Sequence, residues 1–110
     1  MHRTLIIARM RPGSAPAIAD AFADSDTTEL PTLIGVRTRS LFQFGELYLH
    51  YIEADSPVAE AVAAVAEHPE LRRVAQALRP YLSAYDPDGW GTPRDAIGVE
   101  FYRWQRPAKR

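Results

Sequence analysis

The chain has 110 residues, 46% of them hydrophobic and 25% charged, the length and balance of one globular domain, spanning residues 1–110, that buries a core without disulfides or metal. Lys and Arg (13) nearly balance Asp and Glu (14), for a formal net charge of -1, so no basic surplus exists to neutralise a run of nucleic-acid phosphates. Zero cysteines exclude disulfide scaffolds, Cys-ligated zinc, iron–sulfur clusters and thiol nucleophiles, and fit a reducing compartment.

The opening Met1-His2-Arg3-Thr4 runs into an apolar stretch broken by Arg9 and Arg11. That stretch is too short for a membrane span and lacks a signal-peptide cleavage pattern, so a cytoplasmic protein with no membrane partner is expected. Thr4 to Met10, apolar and closed by Pro12-Gly13, reads as a largely buried first strand. Ser14 then caps a helix with Pro16 in its first turn and Ala15, Ile18, Ala19 and Phe22 at helical spacing, fraying near Asp24 or Ser25. Asp26 to Pro31 is predicted to be a polar loop ended by proline.

From Thr32 to Phe44 the chain is rich in β-branched and aromatic residues, and Gly45-Glu46 is the pair expected of a tight hairpin before a further strand to Ile52. A two-residue turn sets Phe44 opposite Leu47 and puts Arg37, Arg39, Leu41, Gln43, Tyr48, His50 and Ile52 on one face. Val36, Thr38, Ser40, Phe42, Leu47, Leu49 and Tyr51 take the other. A one-residue bulge would break this assignment. Ser56-Pro57 starts the next helix, with the serine as cap, His68-Pro69 interrupts it, and Leu71, Val74, Ala75 and Leu78 define a short further helix ending at Pro80. Pro87, Gly89, Gly91 and Pro93 mark an irregular segment, and Gly98 to Trp104 reads as a last strand.

The order is βαββαβ plus an extra short helix, an α+β ferredoxin-like arrangement of one antiparallel sheet with helices on one side. Its other face needs cover, and tyrosines and leucines lie on both faces of the hairpin. A homodimer packing sheet on sheet meets this need, as does a monomer covered by its own carboxy-terminal segment.

His50, in mid-strand with Arg39 on its face, is a candidate proton carrier near neutral pH or a hydrogen-bonded structural histidine. Arg37 and Arg39 suit an enolate or carbonyl oxygen if buried, or ion pairs with Glu29, Glu53 or Glu100. Asp26 either caps backbone amides or projects into a pocket mouth. No phosphate loop, nucleophile elbow or zinc helix occurs, and His2, His50 and His68 are too scattered to imply a metal, so neither metal nor cofactor is expected.

Asp26-Thr27-Thr28-Glu29-Leu30-Pro31, then Gly35-Val36-Arg37-x-Arg39-x-Leu41-Phe42-x-Phe44, then Leu47-Tyr48-x-His50-x-Ile52-Glu53-Ala54-Asp55 closely resembles the tetracenomycin-type aromatic polyketide cyclases. His68-Pro69, Pro80-Tyr81 with Tyr85, and Phe101-Tyr102-x-Trp104 continue the likeness, leaving out only residues about 86 to 97 and the tail. The resemblance implies a homodimeric α/β barrel with an apolar pocket in each protomer. It also implies a cofactor-free enzyme of type II polyketide synthesis, closing a later ring of an aromatic polyketide intermediate by intramolecular aldol condensation and dehydration. Transient contact with polyketide synthase components follows from the same likeness.

By matching position, the resemblance marks Arg39, His50 and Asp26 as functional. The expected roles are a proton shuttle for His50, stabilisation of enolate or carbonyl oxygen for Arg39, and orientation of the base, the substrate or a water by Asp26 with Ser25, while Ser25, Tyr48, Ile52 and Arg37 are the expected substrate-binding residues. Ser25 is a departure, standing where the family's pattern has the histidine of a His-Asp pair, and a serine hydroxyl is no comparable acid or base near neutral pH. The alternatives are a cofactor-independent monooxygenase acting on an aromatic polyketide and a non-catalytic polyketide-binding accessory protein.

Overall fold

The computed structural model describes residues 1–88 and 93–108; Gly89 and Gly91 of the expected irregular segment lie outside them. In chain order the elements are β1 (His2–Met10), α1 (Ala15–Asp26), α2 (Leu30–Ile34), β2 (Val36–Phe44), β3 (Leu47–Ala54), α3 (Val58–Ala64), α4 (Pro69–Leu78) and β4 (Leu82–Ser83), then a 3₁₀ turn at Pro93–Ala96. The strands form one antiparallel sheet ordered β2-β3-β1-β4, the ferredoxin-like order.

Gly45 takes φ 61° at the hairpin tip, a conformation that glycine adopts without the Cβ penalty, and Phe44 stands opposite Leu47. The predicted register follows, with Arg39 opposite Ile52 and Leu41 opposite His50. It breaks between Val36 and Thr38, where the ladder shifts by one residue. Val36 pairs with Ala54 and joins the inner core, while Arg37 ion-pairs with Asp55 at the surface. The predicted faces of these two residues are therefore corrected; the bulge reverses them because side-chain alternation has a period of two.

The inner face of the sheet carries the buried Ala8, Met10, Tyr48, His50, Ile52 and Ala54. Ile18 of α1 packs with Ala8, Met10 and Tyr48, and Val58 of α3 with Ile52 and Ala54. The expected loop ending at Pro31 is instead partly helical, since Leu30 and Ile34, four residues apart, bury one face of α2. Gly35 closes that helix at φ 85°, its N–H donating to the carbonyls of Pro31 and Thr32. Thr32-Leu33-Ile34 thus turns before the strand rather than beginning it.

The helix starts differ in detail from expectation. Ser14 precedes α1, but its hydroxyl donates back to the Arg11 carbonyl at 2.6 Å and caps no amide. Pro57, not Ser56, is the cap residue of α3. At α4 the cap is His68, whose Nδ1 accepts from the Glu70 amide at 3.1 Å while Nε2 donates to Glu29 at 3.0 Å, tying this helix to the start of α2.

The predicted last strand over Gly98 to Trp104 is not a strand. β1 bridges Ile97 at Ile6, and the Gly98 amide donates to the Leu5 carbonyl at 2.8 Å, after which residues 99–104 pair with no strand among the described residues. The edge of β1 is instead used by the two-residue β4, opposite Arg9 and Met10. Strand-like composition records fitness for a pleated surface and not which edge is open. Phe101 is 96% exposed, and Tyr102 and Trp104 are exposed as well. On the sheet face away from the helices, Ile7, Leu49 and Phe42 lie in one cross-strand row.

Candidate functional site

Between the inner sheet face and the helices lies a cavity of about 270 Å³. Aliphatic side chains make most of its wall, among them Ile6 of β1, Leu30 and Ile34 of α2, Ile52 of β3, Val58 and Val62 of α3, and Leu71, Val74 and Leu78 of α4. Four polar residues interrupt them: Ser25 from the end of α1, Arg39 from β2, and Tyr48 and His50 from β3. Such a wall, apolar with a few convergent polar groups, is the usual make-up of a small-molecule site.

The polar groups form a continuous chain. Asp26 Oδ1 and Oδ2 accept from Arg39 Nη2 at 2.9 Å and Nε at 3.2 Å, a two-point grip that fixes the guanidinium plane. Arg39, its side chain 15% exposed, lies over the Phe22 ring with Cζ 4.8 Å from the centroid. Its Nη1 reaches His50 Nε2 at 3.0 Å, and His50 Nδ1 lies 2.9 Å from the Tyr48 hydroxyl. The Phe22 ring meets His50 edge-on at 4.9 Å.

This chain sets its own proton positions. A guanidinium only donates, so His50 Nε2 accepts, the ring proton lies on Nδ1, and Nδ1–H donates to the Tyr48 oxygen. Burial and then the Arg39 charge push the His50 pKa down to about 3, so the ring is neutral near neutral pH. The lone pair expected to carry a proton is thus spent on Arg39. Burial holds the Tyr48 hydroxyl above its ordinary pKa, outweighing the lowering effect of Arg39, and Tyr48 stays protonated.

Arg39, His50, Tyr48, Ser25 and Ile52 all line the cavity, and Asp26 is joined to it through Arg39. Arg37 is not among the lining residues; the bulge leaves its side chain 60% exposed on Asp55. The carboxylates considered as arginine partners are engaged elsewhere: Glu29 with His68, Glu53 with Tyr51, and Glu100 with Arg3 and Arg103. Phe22, which the spacing marked only as core, belongs to the site, and its place three residues before Ser25 on one helix face was the available signal. Among the described residues no cluster of His, Asp and Glu could hold a metal ion, and no helix is long and apolar enough to cross a membrane.

The family model described as polyketide synthesis cyclase matches residues 2–105. The chain belongs to that family. It is 55% identical over 107 residues to an uncharacterized protein of Streptomyces coelicolor, covering 96% of each chain. To the polyketide synthase CurG of Streptomyces cyaneus it is 48% identical over 106 residues, covering 96% of this chain and 99% of the relative. The tetracenomycin F2 cyclase of Streptomyces glaucescens, described as a type II polyketide cyclase, is 42% identical over 106 residues, covering 96% of each. Its solved structure superposes with a TM-score of 0.90 over 97% of this chain and 100% of that one. The α+β ferredoxin-like fold expected from the sequence is therefore shared with a polyketide cyclase.

Proposed function

We propose that the protein is an aromatic polyketide cyclase that closes a later ring of a partly cyclised poly-β-ketone by intramolecular aldol condensation with loss of water. The observation that carries this reading is the Asp26–Arg39–His50–Tyr48 chain set into an otherwise apolar cavity of about 270 Å³. A carbon between two carbonyls is already acidic, so a wall that selects one folded conformer and a fixed cation beside the reacting oxygen supply the help this chemistry needs. Arg39 uses Nε, Nη1 and Nη2 once each on Asp26 and His50, leaving N–H groups for a substrate oxygen. Asp26 holds that guanidinium, and Ser25, Tyr48 and Ile52 contact the substrate rings. The relative named tetracenomycin F2 cyclase supports the substrate class.

The reading includes a cofactor-free enzyme in the cytoplasm, acting as a homodimer and meeting synthase components in passing. The row of half-buried Ile7 and Leu49 with exposed Phe42, and the exposed Phe101 and Trp104, support a second copy as cover. Incubation of the purified protein with tetracenomycin F2 and with partly cyclised polyketides of other lengths, followed by mass spectrometry, tests the activity. A protein-dependent product lighter by one water is expected. A product heavier by one oxygen assigns a monooxygenase instead, and the absence of any new product across the set overturns catalysis in favour of binding.

A further inference from the structure

We infer that the Tyr48 hydroxyl is the group that donates a hydrogen bond to the oxygen on which negative charge builds during ring closure, and that His50 is a positioning residue holding that hydroxyl. The inference rests on the cyclase reading for its reaction but on the geometry of the polar chain for its residues.

Arg39 commits His50 Nε2 to accepting, which commits Nδ1–H to donating and the Tyr48 oxygen to receiving that proton as an acceptor. The phenol's own O–H is then turned away from His50. Tyr48 is 4% exposed, and His50 is its hydrogen-bond partner among the described residues, so the remaining donor has the cavity to serve. A buried hydroxyl without an acceptor is costly, and an anionic oxygen is the acceptor that repays it best. The apolar wall strengthens that bond by keeping the local dielectric low.

During carbon–carbon bond formation the enol carbon's π pair makes the new bond, a lone pair on the enol oxygen re-forms that carbonyl, the attacked carbonyl's π pair moves onto its oxygen, and the proton released by the enol oxygen ends on the alkoxide so formed. Tyr48 O–H points its dipole at that oxygen, Arg39 supplies the charge, and no proton needs to leave Tyr48 for the electrons to balance. The elevated pKa of the phenol suits a group that shares its proton without surrendering it.

Three measurements on the intact protein decide this. ¹⁵N NMR of the His50 ring at neutral pH is expected to show Nδ1 protonated and Nε2 bare; the opposite tautomer or a charged ring overturns the relay. With tetracenomycin F2 as probe, Tyr48→Phe is expected to lower kcat by about 10²–10³-fold, as removal of one oxyanion donor does, with KM changed little. His50→Gln should approach that loss, while His50→Asn, whose amide can stand near Nδ1, should recover most of it. A Tyr48→Phe enzyme within threefold of wild type overturns the inference and leaves the cyclase reading intact. The third probe needs no turnover: the coloured anion of 4-nitro-1-naphthol should bind wild type at least tenfold more tightly than Tyr48→Phe, whereas 1-nitronaphthalene binds both alike. Tyr48-dependent anion binding in a protein that cyclises nothing upholds the donor and removes the cyclase; equal anion binding by both proteins overturns the donor.

Discussion

Arg39 Nη1 stands 3.0 Å from His50 Nε2, so a permanent cation donates into the nitrogen where a histidine would otherwise take up a proton. The unfolded ring titrates near 6.5, but the folded one, held down by burial and then by Arg39, titrates only at about 3. Between those values the unfolded chain holds more protons, so this residue's contribution to stability is lost progressively as pH falls through that window. One such group gives a slope of about 1.4 kcal/mol per pH unit. Urea unfolding between about pH 4 and pH 6 should show wild type losing stability more steeply than His50→Asn by roughly that amount. Parallel pH dependences would mean that the ring charges in the native state.

Removing the cation separates its effect from that of burial. In Arg39→Met the His50 pKa should rise above 3 yet remain below 6.5, because burial is the larger cause and stays in place. A ¹⁵N or proton NMR titration of the ring reads this directly. A titration at the ordinary histidine value would assign the whole effect to Arg39.

The bulge at the start of β2 makes opposite expectations for neighbouring residues. Arg37→Ala removes an exposed ion pair with Asp55 and should change unfolding free energy by about 0–1 kcal/mol, with turnover within about twofold of wild type. Val36→Ala removes two methyl carbons from the cavity wall and should cost about 1–2 kcal/mol. Denaturant unfolding of both variants checks the pair. A reversed order of costs would restore the unbulged register.

Gly35 ends α2 at φ 85°, and an added Cβ would lie 3.4 Å from both Cβ and Oδ2 of Asp55. Gly35→Ala should therefore destabilise by about 1–2 kcal/mol through the left-handed backbone alone. It should also disturb the Asp55 amide, which donates to the Gly35 carbonyl at 2.9 Å. Thermal unfolding with an unchanged midpoint would show that the helix can end another way.

At Ser25 a new titration is expected. Neither His50 nor Tyr48 changes charge across the neutral range, so the pair gives wild-type turnover no inflection there. Ser25→His places an imidazole on the cavity wall and should add a limb to the pH–rate profile near 6.5, shifted by its burial. A profile superposable on wild type would show that the added ring takes no part in the chemistry.

The fold was legible where a local rule sufficed. Gly45-Glu46 fixed the hairpin register, and that register alone put Arg39 and His50 on one face. What escaped depends on tertiary partners. Val36 and Arg37 change places because one extra residue slips into β2, which no propensity reports. Thr32-Leu33-Ile34 looks like strand but buries helically because Leu30 and Ile34 find the core together. Residues 99–104 look like strand and pair with none among the described residues. Within the site, the residue types were readable, yet the bond order from Asp26 through Arg39 and His50 to Tyr48 required coordinates, since spacing does not say which nitrogen faces which partner.

The polar chain hangs on the end of α1 and on the paired strands β2 and β3, whereas Leu30, Val58, Val62, Leu71 and Val74 come from α2, α3 and α4. Reactivity and the helical half of the molecular fit are thereby written on separate parts of the scaffold, with Ile6 and Ile52 adding the sheet's share of the wall. Exchanging one aliphatic side chain for another on those three helices reshapes the chamber without touching a charge, a proton or a strand register. A library confined to these positions samples which ring systems enter while every member keeps the same chemical apparatus.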